Sequence, residues 1–335
     1  MSDFGGEKNR IEWLDVVKAI AILGTVGIHT FAGRSLLLSI SYSVFPLFWI
    51  VSGYTIRPCN GIRGLINTTI KDIKKMIIPS FFVCLLSGVI ATLLGEYCNW
   101  QTLTNNLIDS ALFFVSPNSG MLWFFWALLW AKLLYRIMLK LGVFRYIPMA
   151  VLIVVALIFS PSYRLPMMID VAPIGMLFLE FGHLLKEADN KLQSVPRKIQ
   201  YCLEAIVLAV SVLGAFNLTW QRRLYIDLAG RDYTLMALMQ CICLMLLVLL
   251  ICRVISQTSL VEPMSELGQH TLGFLLLHYL DGYWISPIVE KLFDVIGFSN
   301  DFIYYGIRVV LLIIVTLICV KIQDSFYYYI NHGKH

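Results

Sequence analysis

Charge is scarce in this sequence. Only 14% of its 335 residues are Asp, Glu, Lys or Arg, where a soluble globular chain carries about a quarter. That shortage excludes an ordinary water-soluble domain, and a mean hydropathy of +0.76 says the same. Also missing are a low-complexity tract, a repeat at a fixed period and any connecting segment long enough to hold an appended soluble domain. There is no C-x-x-C pair: Cys241 and Cys243 are one residue apart, and the other cysteines (59, 84, 98, 202, 252 and 319) lie mostly in apolar runs. They read as small hydrophobes, which gives no reason to expect a bound metal. The first apolar run starts about a dozen residues from Met1 without a small-residue cleavage site, so it reads as a retained span.

What the chain has in abundance is apolar length. Runs of about 17–25 residues, enough for a helix to cross ~30 Å of hydrocarbon, recur throughout. They fall near 14–31, 41–57, 77–95, 119–139, 147–161, 167–186, 201–218, 233–253, 270–288 and 303–323. The expected fold is therefore all-α, a polytopic membrane bundle of about ten helices forming a single domain over residues 1–335. The net charge of +5 is not a nucleic-acid footprint, because it follows the spans. Alternate connections hold seventeen basic residues on one side and six on the other, which puts both termini in the cytoplasm.

The first span reads "DVVKAIAILGTVGIH". Lys18 and His29 are eleven residues apart, three helical turns plus about 20°, so they share a face with His29 about 16 Å farther along the axis. Asp15 lies three residues before Lys18, near the same stripe. An ionised group at mid-bilayer costs at least ~2.5 kcal/mol, so this stripe must look into the protein or a wet cavity. Taken singly, Lys18 could snorkel and His29 could be a helix–helix hydrogen-bonder. The shared stripe is harder to explain that way.

Other polar groups accompany it. "FPLFWIVSGYTIRP" ends the second span with Ser52 and Tyr54 at the cytoplasmic surface, where a small-residue packing site is the plain alternative. Lys71, Lys74 and Lys75 precede Pro79; they suit loop anchoring, and equally the phosphates of a nucleotide-bearing donor. Trp123 opens the fourth span, where an interfacial aromatic belt is common. Glu180, and later His278 with Asp281, lie inside apolar runs. Asp281 is expected to pair with Arg308 in the last span.

These elements, in order, resemble the acyltransferase family 3 membrane proteins, which O-acylate surface sugars. Asp15, Lys18 and His29 resemble the family's first-span frame, a basic residue, ten intervening residues, then His. "FPLFWIVSGY" is similar to its second-span motif, Lys71 and Lys74 to an R-x-x-R element, "LWFFWALL" to L-W-F-L, and "LGFLLLH" to a late motif ending in His278. Lys replaces Arg at Lys18, Lys71 and Lys74, which keeps the charge and loses the bidentate fork. No fused hydrolase-like domain is expected, so the resemblance is nearer to the stand-alone fucose 4-O-acetylase branch.

The resemblance implies an acyl donor of the acyl-CoA type, most often acetyl-CoA, held by Lys18, Lys71, Lys74, Lys75, Ser52 and Tyr54. It implies His29 as general base, with transient acylation of His29 as a variant, and Asp15 and Lys18 beside it. Trp123, Glu180 and His278 are further candidates. The implied acceptor is a glycan or lipid-linked sugar, such as exopolysaccharide or capsule, at the outer face of the cytoplasmic (inner) membrane. No nucleic-acid partner is expected. The rival from another class is a proton-coupled secondary transporter, which buried Asp, Glu and His residues also suit. The charge asymmetry makes its own prediction: epitope tags at Met1 and His335 are both labelled in inside-out vesicles and both protected in right-side-out ones. Labelling of either tag from outside would overturn the assigned orientation.

Overall fold

The computed structural model describes residues 11–31, 35–93, 122–159, 165–219, 227–228, 234–281, 285–297 and 300–332. Among these residues the architecture is helical, with no strand. The helices are α1 (Glu12–Thr30), α2 (Ser35–Val44), α3 (Leu47–Thr55), α4 (Gly61–Asp72) and α5 (Ile78–Leu93). They continue with α6 (Leu122–Met138), α7 (Tyr146–Phe159), α8 (Ala172–Leu192), α9 (Arg197–Thr219) and α10 (Leu235–Ile255). The last four are α11 (Val261–Gln269), α12 (Thr271–Asp281), α13 (Ile285–Ile296) and α14 (Asp301–His332).

Six stretches among the described residues are long and apolar enough to cross a membrane: Glu12–Thr30, Trp123–Phe159, Pro166–Leu192, Arg197–Ala215, Leu235–Ile255 and Asp301–Lys321. The protein is an all-α polytopic membrane protein. Its outer surface fits that solvent. On α9, Ile206, Val210 and Leu213 are exposed, as are Ile147, Val151 and Ile158 on α7. Apolar faces of that kind are at home against lipid and a liability in water.

Two sequence-based spans are built differently from a single long helix. The span expected at 41–57 breaks at Phe45-Pro46, because Pro46 has no N–H to continue the ladder of α2 and instead starts α3. The span expected at 77–95 begins after a π-helical turn, Ile73–Ile77, and α5 has 16 residues. Pro79 cannot bond to the carbonyl four residues back, and the wider π turn just before it absorbs that mismatch. Of the span expected at 270–288, α12 and the start of α13 are described, and residues 282–284 lie outside the described residues. Conversely, Trp123–Phe159 is one run of 37 residues, about twice the length one crossing needs. It is interrupted at Gly142, whose φ of 56° is open to glycine and strained for other residues. That break separates α6 from α7, as the two spans at 119–139 and 147–161 require.

α1 is the hub. It packs against α2, α3, α10, α11, α12 and α14. On one side, α3 joins α8, and α8 carries α6 and α7. On the other, α12 meets α14 and α5, while α9 rests on α10. The closest approaches are bought with glycine: a Cβ on Gly53 would strike the Leu179 backbone, and one on Gly182 would strike the Ile50 carbonyl. Gly268 of α11 lies against the backbone of Asp15 in the same way. Small residues let apolar helices meet backbone to backbone where the bilayer offers no hydrophobic drive for association. Accordingly, Gly53→Val or Gly182→Val should lower the thermal midpoint of the detergent-solubilised protein by an amount matching about 1–3 kcal/mol or more. Gly306→Val, whose Cβ would meet no atom within 4 Å, should leave it nearly unchanged.

Candidate active site

Two ends of α1 carry two different clusters. At its start, Asp15 is buried, and it forms an ion pair with Lys18 one turn along. Lys18 keeps 27% of its side chain exposed, so its charge is half-solvated. Trp13 packs edge-on against Tyr54 at the end of α3, with ring centroids 5.4 Å apart. The Tyr54 hydroxyl donates to Asp189 Oδ2 at 3.0 Å. Arg253, at the end of α10, pairs with the same carboxylate and lies over the Trp13 ring at 4.9 Å. α1, α3, α8 and α10 are therefore tied together at this end by one aromatic-and-ionic knot.

At the far end of α1, His29 and His278 come together from α1 and α12. Their ring centroids are 5.1 Å apart and the planes are tilted by 47°. His278 is buried, while His29 is exposed and therefore reachable. Arg308 of α14 is buried beside the same turn. Its Nη1 donates to Thr30 Oγ1 at 3.0 Å and lies 3.4 Å from the His29 carbonyl. The guanidinium also stacks over the Tyr304 ring at 5.3 Å. Tyr305 donates to the Leu23 carbonyl at 2.9 Å and packs on Phe31, docking α14 along this half of α1. The side chain of Asp281, the partner expected for Arg308, lies outside the described residues.

The chemistry available here is proton transfer at an exposed imidazole, with a second imidazole and a fixed cation next to it. Histidine suits that work because its unperturbed pKa falls near neutrality. Arg308 was legible as an expensive intramembrane cation; its contact with Thr30 was not, since nothing local links the first and last helices.

The remaining site expectations separate. Lys71, Lys74 and Lys75 are exposed, on the end of α4 and its π turn. A cavity of about 510 Å³ opens nearby, yet its walls are Ser52, Thr55, Ile56, Arg57, Pro58, Cys59, Asn60, Gly64, Thr68, Lys132 and Arg136. Ser52 is thus in the wall, and Tyr54 and the three lysines are not. Lys132 and Arg136 of α6 both bond to Asp72, at 3.0 and 2.7 Å. The sequence signal for them was available: Lys132 interrupts the apolar run "LWFFWALLWAKLL", where an ionisable residue demands a reason.

Trp123 and Glu180 each sit in a set of contacts away from the two clusters on α1. Trp123 lies against Phe45, Trp49 and Phe124, at centroid distances of 5.4, 6.4 and 6.0 Å. Glu180 accepts from Arg145 at 2.9 and 3.1 Å and from the Tyr135 hydroxyl at 2.6 Å, with both members of the ion pair buried. That pair fastens α8 to the turn before α7.

Comparison with known proteins yields one match. A family model described as an acyltransferase domain, that of acyltransferase family 3, matches residues 11–321. No curated protein and no solved structure matches the sequence.

The Glu180–Arg145 pair gives a test of its structural role. Glu180→Leu strands a buried guanidinium and should cost about 3–5 kcal/mol, whereas Glu180→Leu with Arg145→Met should recover most of that loss. Thermal unfolding in detergent reads both. A double variant no better than the single one would show that Glu180 does more than hold helices.

Proposed function

The chain belongs to acyltransferase family 3, and we propose that it moves an acyl group, most often acetyl, from cytoplasmic acyl-CoA to a hydroxyl of a surface or lipid-linked glycan. Membrane acyltransferase activity follows from the family. The donor, the acceptor and the orientation, with both termini in the cytoplasm of a multi-pass cytoplasmic-membrane protein, are our reading.

The observation that carries it is the pairing of His29 with His278 at one end of α1, while the other end holds Lys18. Eleven residues of helix separate Lys18 from His29, about 16 Å at ~1.5 Å per residue. A donor entering from the Lys18 end has to extend its thioester along the helix to reach His29. An acceptor arriving from the opposite face meets the same imidazole, because His29 is exposed.

In this reading His29 takes the proton of the acceptor hydroxyl as its oxygen attacks the thioester carbonyl carbon. A C–O bond forms and the carbonyl electron pair becomes an oxyanion. The guanidinium of Arg308, anchored on Thr30, supplies a permanent cation beside that site. Collapse of the intermediate breaks the C–S bond, and the proton held by His29 passes to the departing thiolate. His278, against the His29 ring, fixes its orientation. Asp15 holds Lys18 in place at the donor end.

His29→Ala should lower acyl transfer by about 10²–10⁴-fold. Because His29 is exposed and its ring is not core, membrane insertion and the thermal midpoint should be unchanged. Transfer is followed by mass analysis of the glycan in cells expressing either protein. A His29→Ala protein that still acylates would end the assignment of His29 as base.

A further inference from the structure

The cavity at the Lys18 end has walls whose chemistry is specific. Three cations border it, Arg57, Lys132 and Arg136, against the single carboxylate that bonds to them, Asp72. Arg57 makes no ion pair with any described residue. Arg136 is 5% exposed, and its Nε is buried without a hydrogen-bond acceptor among the described residues. A buried donor left unmatched costs about 1–3 kcal/mol, more when it is charged, so it marks a place where an acceptor is missing. Surplus positive charge of about two units, with an unused guanidinium N–H, calls for a dianionic ligand.

The backbone agrees. α4 starts after Asn60 with no side-chain cap, and Asn60 and Gly64 both border the cavity. The uncapped N–H groups of that first turn add the partial positive charge that favours phosphate at helix starts. Lysine meets a phosphate as a point charge and arginine as a fork, and both are present here. The volume, about 510 Å³, lies within the ~300–1,000 Å³ usual for small-ligand sites.

Position decides which phosphate. The cavity is built on the end of α3, whose Tyr54 packs on Trp13 at the start of α1. It is therefore at the opposite end of α1 from His29 and His278. A donor whose thioester lies at the histidines puts its far terminus here, and the far terminus of CoA is its 3′-phosphorylated adenosine. A phosphomonoester carries about −1.5 to −2 charges at neutral pH, which matches the surplus. We infer that the Arg57–Lys132–Arg136 cavity binds the 3′-phosphoadenosine end of the acyl-CoA donor, in place of the exposed Lys71–Lys75 cluster. This rests on the donor reading above.

The test is calorimetric binding to the full chain in lipid nanodiscs, with CoA, 3′-dephospho-CoA and adenosine 3′,5′-bisphosphate as probes. Wild-type protein should bind CoA about tenfold or more tightly than dephospho-CoA, the size of one lost charge-assisted contact. Arg57→Gln, at an exposed position, and Arg136→Lys, which keeps the charge beside Asp72, should each weaken CoA and the bisphosphate. Both should leave dephospho-CoA binding unchanged, so the preference for the 3′-phosphate collapses. Lys291→Gln, on the exposed face of α13, controls for general electrostatics and should change nothing. If both cavity variants keep the full preference, the cavity assignment is overturned while the donor reading stands. If wild type binds the bisphosphate but not CoA, the cavity stands and the donor reading falls. If wild type binds none of the three probes, both fall.

Discussion

A charge placed at bilayer depth has no water to retreat to, and that constraint decides where the helices of this protein meet. The described ionised groups inside the bundle are held in bonded sets: Asp15 with Lys18, Asp72 with Lys132 and Arg136, Glu180 with Arg145, Arg308 with Thr30. All but the first tie together helices far apart in sequence. Asp72 fastens α4 to α6, Glu180 fastens α8 to the turn ahead of α7, and Arg308 fastens α14 to the end of α1. Where no charge is available, glycine does the same job by letting backbones touch, as between α3 and α8. Pairing and close approach together fix α1 in the centre with both of its ends committed.

That commitment divides labour along one helix. The start of α1 is rigid, locked by the Trp13–Tyr54–Asp189–Arg253 knot and by Gly268 beneath Asp15. The far end offers an exposed imidazole backed by a buried one. A base can act only if it is reachable, and it can act selectively only if its surroundings are not. The separation also suits a reaction whose two substrates come from opposite sides: neither has to leave before the other arrives. A proton-coupled transporter would use the same buried groups, but the family match favours acyl transfer over that use of them.

Much of this was legible in sequence, and the division follows locality. The stripe joining Asp15, Lys18 and His29 depends on the 3.6-residue period alone, so it could be read directly. So could most spans, from apolar length. The break at Pro46 was equally local but hidden inside a run hydrophobic enough to read as one helix. The pairing of Glu180 was not legible, because its partner Arg145 lies 35 residues away across a helix turn. The meeting of His29 with His278 joins the first helix to the twelfth, and spacing carries no information about that. The family resemblance marked His278 only as a further candidate, and the structure supplies its contact with His29.

The basic residues show most clearly what sequence charge does and does not mean. Lys71, Lys74 and Lys75 stand out as a cluster, yet all three are exposed, where a lysine is well hydrated and any bound phosphate competes with water. Lys132 and Arg136 are less conspicuous in the sequence, five residues apart counting both ends, one inside an apolar run and one at its close. They keep only 15% and 6% of their side chains exposed. In that lower dielectric the same unit charge acts on an anion with several times the strength it has in water. Desolvating two cations is costly, and Asp72 offsets only part of that cost with one carboxylate. A bundle built solely for stability would have had less reason to keep the second cation there. Retaining it, with an unmet N–H on Arg136, is what a site for a doubly charged ligand requires.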